Sequence, residues 1–243
     1  MSGSMTANYY HSERFGGLPH STLKIIAILT MFCDHYACVF LGLEMNFLRG
    51  VGRIAFPIFA FFIAEGALRS RNVPKYLLRL FLFALISEVP FDLAFNDGWF
   101  DMSYQNVFFT LFFGLFSIWC AQMFEKRNLQ SLSLFTLLLS AAGAAALNTD
   151  YGAMGVIVIY LFYIFLCTPD YAKNVGFTLA CLLLCIDVDF RFALHPGEIW
   201  AVFAVPLLFL YNGNKGRDVN KYFYYGFYPG HLLLLWGIYT LTH

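Results

Sequence analysis

The stretch "TLKIIAILTMFCDHYACVFLGL", residues 22–43, decides the fold. It is apolar apart from Lys24, Asp34 and His35, and it is long enough for a helix to cross a bilayer core, which takes about 20 residues. His35 stands 11 positions beyond Lys24. At helical rise it therefore lies about 16 Å deeper, near the bilayer midplane if Lys24 marks a membrane surface. Ionisable groups at that depth are costly and seldom kept without a partner or a function. Two readings stand for this pair: a structural polar contact between helices, or a reaction site. An imidazole exchanges protons near neutral pH, which favours His35 as a site residue. Side chains of adjacent helical residues diverge by about 100°, so Asp34 and His35 need not serve the same partner.

The remainder of the chain has the same character. Hydrophobic residues make up 60% of the 243, charged residues 12%, and 29 are Phe. Mean hydropathy is +0.65. A soluble domain carries about 25% charged residues, so this chain belongs in a bilayer. Formal net charge is zero, which gives no sign of a nucleic-acid partner. The six cysteines sit in apolar runs without a CxxC pair, so neither a disulfide framework nor a zinc site is expected. No metal site is expected at all, because the histidines lie at depths too different to converge on one ion.

Further apolar runs lie at about 50–68, 75–95, 105–124, 131–147, 151–167, 174–189, 198–211 and 229–242. The expected fold is an all-α polytopic transmembrane bundle of about nine spans (8–10), with the count least certain in residues 131–211. Residues 22–243 read as one integral domain, and residues 1–21 as a mobile cytoplasmic segment without the apolar region of a signal peptide. Basic loops (Arg69, Arg71, Lys75, Arg79; Lys126, Arg127; Lys215, Arg217, Lys221) alternate with acidic ones (Asp97, Asp101; Asp150; Asp187, Asp189). The positive-inside rule then places the N-terminus in the cytoplasm, with Arg49 and Arg191 as outer-side exceptions.

Other polar residues fall into sets. Arg49 and Arg53 are four apart, as are Glu88 and Asp92, and both pairs lie toward the outer side. Their simplest account is an ion network joining spans two and three. Arg53, the deeper arginine, could instead meet an anionic group or a reaction oxyanion. Gly50 and Gly52 permit close helix approach, and Pro57 suits a broken or cavity-lining helix. Arg69, Arg71, Lys75 and Arg79 are either orientation charges or a cationic mouth for phosphates. His231, in "YFYYGFYPGHLLLLWG", enters the last span from the cytoplasmic side, within an aromatic belt or beside that mouth. His11, His20 and His195 carry less weight.

Taken together, Asp34-His35, "GRIAFP" at 52–57, "SEVPFD" at 87–92, "NVFFTLFFGL" at 106–115 and "YPGHL" at 228–232 resemble the TraX family, over most of the chain. That resemblance implies a conjugal-transfer protein of the type implicated in pilin N-terminal acetylation. It also implies kinship with acyltransferase-3-type enzymes, which move an acyl group from cytoplasmic acyl-CoA to an acceptor reached from the other side. By the same match the catalytic role falls on His35, with Asp34 beside it, in a bacterial inner-membrane enzyme. Acetyl-CoA as donor would place its phosphates near Arg69, Arg71, Lys75, Arg79 and His231. Its pantetheine arm, about 15–20 Å when extended, would then reach His35. The acceptor stays open among a peptide N-terminus, a sugar and a small molecule, as does direct transfer against an acetyl-histidine route. A transporter for an anionic solute, using the buried charges as a proton-coupled path, is the competing class.

Overall fold

The computed structural model describes residues 17–42, 44–96, 98–168, 170–185, 196–217 and 220–243. Among them the chain is helical, with two isolated β-bridges, Leu18–Tyr211 and Gln105–Thr149. The helices are α1 (His20–Leu41), α2 (Phe47–Gly52), α3 (Ala55–Arg69), α4 (Val73–Phe95), α5 (Val107–Glu125), α6 (Ser131–Ala146) and α7 (Gly152–Leu166). They continue as α8 (Asp170–Leu183), a 3₁₀ segment (Pro196–Phe203), α9 (Ala204–Phe209) and α10 (Lys221–Thr242). Of the residues singled out from the sequence, His11, Asp97, Asp187, Asp189, Arg191 and His195 lie outside the described residues.

Asparagine opens four of these helices. The side chains of Asn46, Asn72, Asn106 and Asn220 accept backbone N–H groups from Arg49, Lys75, Phe108 and Tyr222. Each satisfies one of the donors that a helix start leaves unpaired, an effect worth about 1 kcal/mol. Proline decides where span two breaks. Pro57 has no N–H to offer the Arg53 carbonyl, and its ring crowds that carbonyl, so the chain turns at Arg53–Ile54 and restarts as α3.

Among the described residues three segments are long and apolar enough to cross a membrane: His20–Leu41, Phe47–Arg69 (α2 and α3 together) and Val107–Glu125. The chain is thus a helical membrane protein. Helix α3 is central: from Ala55 to Ala67 nearly every side chain is buried. It packs on α1, α5, α7 and α9, while α10 closes against α4 and α1. Helix α4 turns Leu78, Phe81, Leu82, Leu85, Ile86 and Val89 outward at helical spacing, an exposed apolar stripe whose Phe81 also touches Phe109 and Phe112 of α5.

Residues 17–21 differ from the expected mobile segment. Leu18 N donates to Leu210 O at 2.7 Å, His20 N to Asn214 O at 2.8 Å and Ser21 N to Lys215 O at 3.2 Å. The entry to α1 is tied to the 210–216 loop because its unpaired N–H groups find carbonyls there.

Gly52 is where α2 crosses α1. A Cβ at this position would lie 3.0 Å from Asp34 Cα and still closer to its side chain. Gly52→Val is therefore expected to cost about 1–3 kcal/mol of stability through overpacking. Denaturant titration in detergent checks this, and a midpoint equal to that of the parent would contradict the crossing.

Candidate functional site

Two polar systems leave α1 on different sides, and the neighbours Asp34 and His35 belong to different ones. Asp34 faces α2. Its Oδ1 lies 3.8 Å from Arg49 Nη1 and 3.7 Å from Arg53 Nη2, and Cys38 bridges between Asp34 and Arg49. Arg53 also reaches Glu198 of the 3₁₀ segment at 2.9 Å and the Tyr151 hydroxyl at 3.3 Å. Tyr151 holds a left-handed backbone, φ 65°, just before α7, and its ring stacks on Phe56 with centroids 3.8 Å apart. A tyrosine in that conformation is strained and persists only where its surroundings hold it there. Asp150 beside it accepts the Tyr104 hydroxyl at 2.8 Å; burial pushes this loop carboxyl up from its ordinary value.

This arrangement replaces the expected network of Arg49 and Arg53 with Glu88 and Asp92. Because α2 crosses α1 at Gly52, its arginines meet Asp34 instead of α4. Glu88 accepts from the Asn106 side chain. Asp92 accepts Asn96 Nδ2 at 3.0 Å and Asp101 N at 2.8 Å, fixing the loop after α4.

His35 faces α10. Its Nδ1 lies 2.6 Å from His231 Nε2, and His231 Nδ1 lies 2.8 Å from the Phe227 carbonyl oxygen. A carbonyl only accepts, so His231 carries its proton on Nδ1 and presents a lone pair at Nε2. His35 must then donate from Nδ1, which leaves its own Nε2 unprotonated in the neutral pair. The chain of acceptors thus assigns His35 the tautomer of a base. Phe95 and Tyr228 flank its ring edge-on, with centroids 5.4 and 5.7 Å away.

His231 is not part of a phosphate mouth. It is 4% exposed, ten residues into α10 and so about 15 Å from that helix's start, which brings it level with His35. Its pairing with His35, 196 residues away, leaves no mark at sequence level beyond the "YPGHL" signature itself.

A cavity of about 360 Å³ opens where the starts of α1, α4 and α10 meet the end of α3. His20, Lys24, Arg69 and Arg79 stand at the open end; Phe108, Leu111 and Tyr228 are among the walls farther in. Lys24 Nζ lies over the Tyr224 and Phe62 rings, 4.7 and 5.6 Å from their centroids. Arg79 lies over Tyr76 and Tyr225 at 5.2 and 5.9 Å. Arg69 pairs with the buried Glu65 at 3.1 Å, and Glu65 also accepts the Tyr211 hydroxyl at 2.8 Å. Of the four basic residues expected at a mouth, Arg69 and Arg79 line the cavity while Arg71 and Lys75 are exposed outside it. Lys24 read only as the membrane entry of span one and His20 as part of a mobile segment, so the sequence placed neither at the mouth. Arg53 does not line the cavity. Among the described residues no cluster of His, Cys, Asp and Glu could hold a metal.

A helical membrane bundle with a basic-mouthed cavity beside a part-buried histidine pair is the class of protein that this geometry defines. The chain belongs to the TraX family, matching the family described as TraX protein over residues 19–239. It is 34% identical over 235 residues to the protein named "Probable fimbrial assembly protein FimC, serogroup H1" from Dichelobacter nodosus, covering 88% of this chain and 92% of that one. No solved structure matches the chain.

Proposed function

We propose that this protein is a membrane-embedded acyltransferase that moves an acetyl group from cytoplasmic acetyl-CoA to an amine or hydroxyl acceptor reached from the opposite side. The observation that carries this reading is the cavity running from a basic mouth to Tyr228, beside a histidine whose Nε2 is free to take a proton. In this reading residues 22–243 form one multi-pass domain of the bacterial inner membrane, with about nine spans and a cytoplasmic N-terminus. The lipid-facing stripe of α4 supports spans beyond the three most apolar segments.

The cavity volume suits the acetyl-pantetheine arm, leaving the nucleotide at the mouth near Lys24, Arg69 and Arg79. The acceptor's N–H or O–H proton passes to His35 Nε2 as the nucleophile attacks the thioester carbon. The C–S bond then breaks, and the CoA thiolate takes the proton back from His35, so that acetylated acceptor and CoA thiol leave. His231 holds His35 in the required tautomer. Asp34 and Arg53 serve the packing of α1, α2 and the 3₁₀ segment. A pilin-like peptide N-terminus is the acceptor that the relative's name points to, with an envelope sugar or a small molecule as the other classes.

The test uses protein in proteoliposomes with radiolabelled acetyl-CoA and a synthetic peptide bearing a free N-terminal amine, and it follows both bound label and released thiol. Saturable acetyl-CoA binding with thiol release supports the reading. A folded sample that binds no acetyl-CoA sinks it, and anion uptake without acyl transfer assigns the transporter class. Hydroxylamine-labile label on the protein would mark the two-step route through acetyl-His35. Removing the mouth charge in Arg79→Gln is expected to raise KM for acetyl-CoA about tenfold, the scale of one charge-assisted contact, whereas Arg71→Gln and Lys75→Gln leave it unchanged.

A further inference from the structure

We infer that the Tyr228 hydroxyl is the donor that holds the thioester carbonyl oxygen during transfer, an assignment that rests on the acetyltransferase reading above. Tyr228 is 3% exposed and lines the cavity, yet among the described residues its O–H finds no acceptor. Buried hydroxyls are almost always bonded, so one left without an acceptor on a residue of the cavity wall points to a ligand atom. Its ring is held edge-on between Phe108, at 5.2 Å, and His35, at 5.7 Å. A carbonyl carbon at this end of the cavity would lie against Tyr228, with the His35 ring packed on the edge of that tyrosine just outside the lining.

The start of α5 adds a second, independent contribution. Val107 is the first residue of a 19-residue helix and lines the same cavity. Its N–H, one of the donors that a helix start leaves free, approaches the Tyr228 oxygen without closing a hydrogen bond. An N–H aimed at the phenol oxygen leaves the phenol's own proton as the one to give to the substrate. The helix start also favours negative charge developing nearby. Asn106 fixes that start: its Oδ1 accepts Phe108 N at 3.0 Å, and its Nδ2 donates to Ala84 O at 2.9 Å and to Glu88. Arg53, the other candidate for this role, already pairs with Asp34 and Glu198.

The chemistry balances. As the acceptor attacks, the carbonyl π pair moves onto oxygen and is stabilised by the Tyr228 O–H. When the pair returns, the C–S bond breaks and the proton on His35 Nε2 goes to the leaving thiolate. Tyr228 lends its hydrogen bond and keeps its proton.

Tyr228→Phe removes only the oxygen. The expected result is acetyl-CoA affinity within about twofold of the parent and single-turnover transfer lower by about 10²-fold, the usual cost of one oxyanion donor. Transfer within threefold of the parent overturns the assignment while leaving the acetyltransferase reading intact. Absence of acetyl-CoA binding in the parent overturns both. A measurement on the unaltered protein guards against a variant that does not fold. The carbonyl stretch of bound ¹³C-acetyl-CoA is expected below its position in water, and a band at or above that position overturns the assignment.

Discussion

His35→Gln is expected to bind acetyl-CoA within about threefold of the parent and to transfer its acetyl group 10²–10⁴-fold more slowly, about the range a general base supplies. The glutamine amide keeps a donor for His231 Nε2 but has no site that can accept and return a proton at neutral pH. Single-turnover thiol release after mixing acetyl-CoA with peptide acceptor measures it. His231→Gln is expected to fall between this variant and the parent, because it disturbs the tautomer without removing the base. An His35→Gln protein that transfers at the parental rate removes histidine base catalysis from this chain. Asp34→Asn, by contrast, is expected to lose stability before it loses rate, since Asp34 turns to Arg49 and Arg53.

The second large effect is on stability. Arg53 is 12% exposed and joins Asp34 on α1 to Glu198 on the 3₁₀ segment. Arg53→Leu leaves two carboxylates without that cation, and breaking a buried pair from one side costs about 3–5 kcal/mol. Combining it with Asp34→Asn is expected to recover part of the loss, because an amide needs no counter-charge. A double-mutant cycle by denaturation in detergent reads the coupling. Strict additivity of the two changes would show that the pair contributes nothing to holding α1, α2 and the 3₁₀ segment together.

The helical architecture was legible because apolar length alone reports on a bilayer, and each of the nine runs overlaps a helical segment among the described residues. The break after Gly52 was legible from Pro57. Partnerships were harder to read. Arg49/Arg53 and Glu88/Asp92 match in spacing and charge, but spacing along a helix says nothing about which neighbour it crosses. Gly52 steers the arginines to α1, and Asn106 takes Glu88 for the start of α5. The basic mouth was half legible: charge clustering marked Arg69 and Arg79, while the same pattern drew in Arg71 and Lys75, which point away. The histidine pair closes over 196 positions, a separation that no local pattern spans.

The adjacency of Asp34 and His35 has a mechanical consequence. One side chain is held by arginines of α2 and the next by a histidine of α10. A turn of α1 about its axis that relaxed one contact would pull the other apart. The helix is keyed in azimuth from two directions, so the imidazole's place beside Tyr228 is held in part by Asp34, a residue outside the cavity lining.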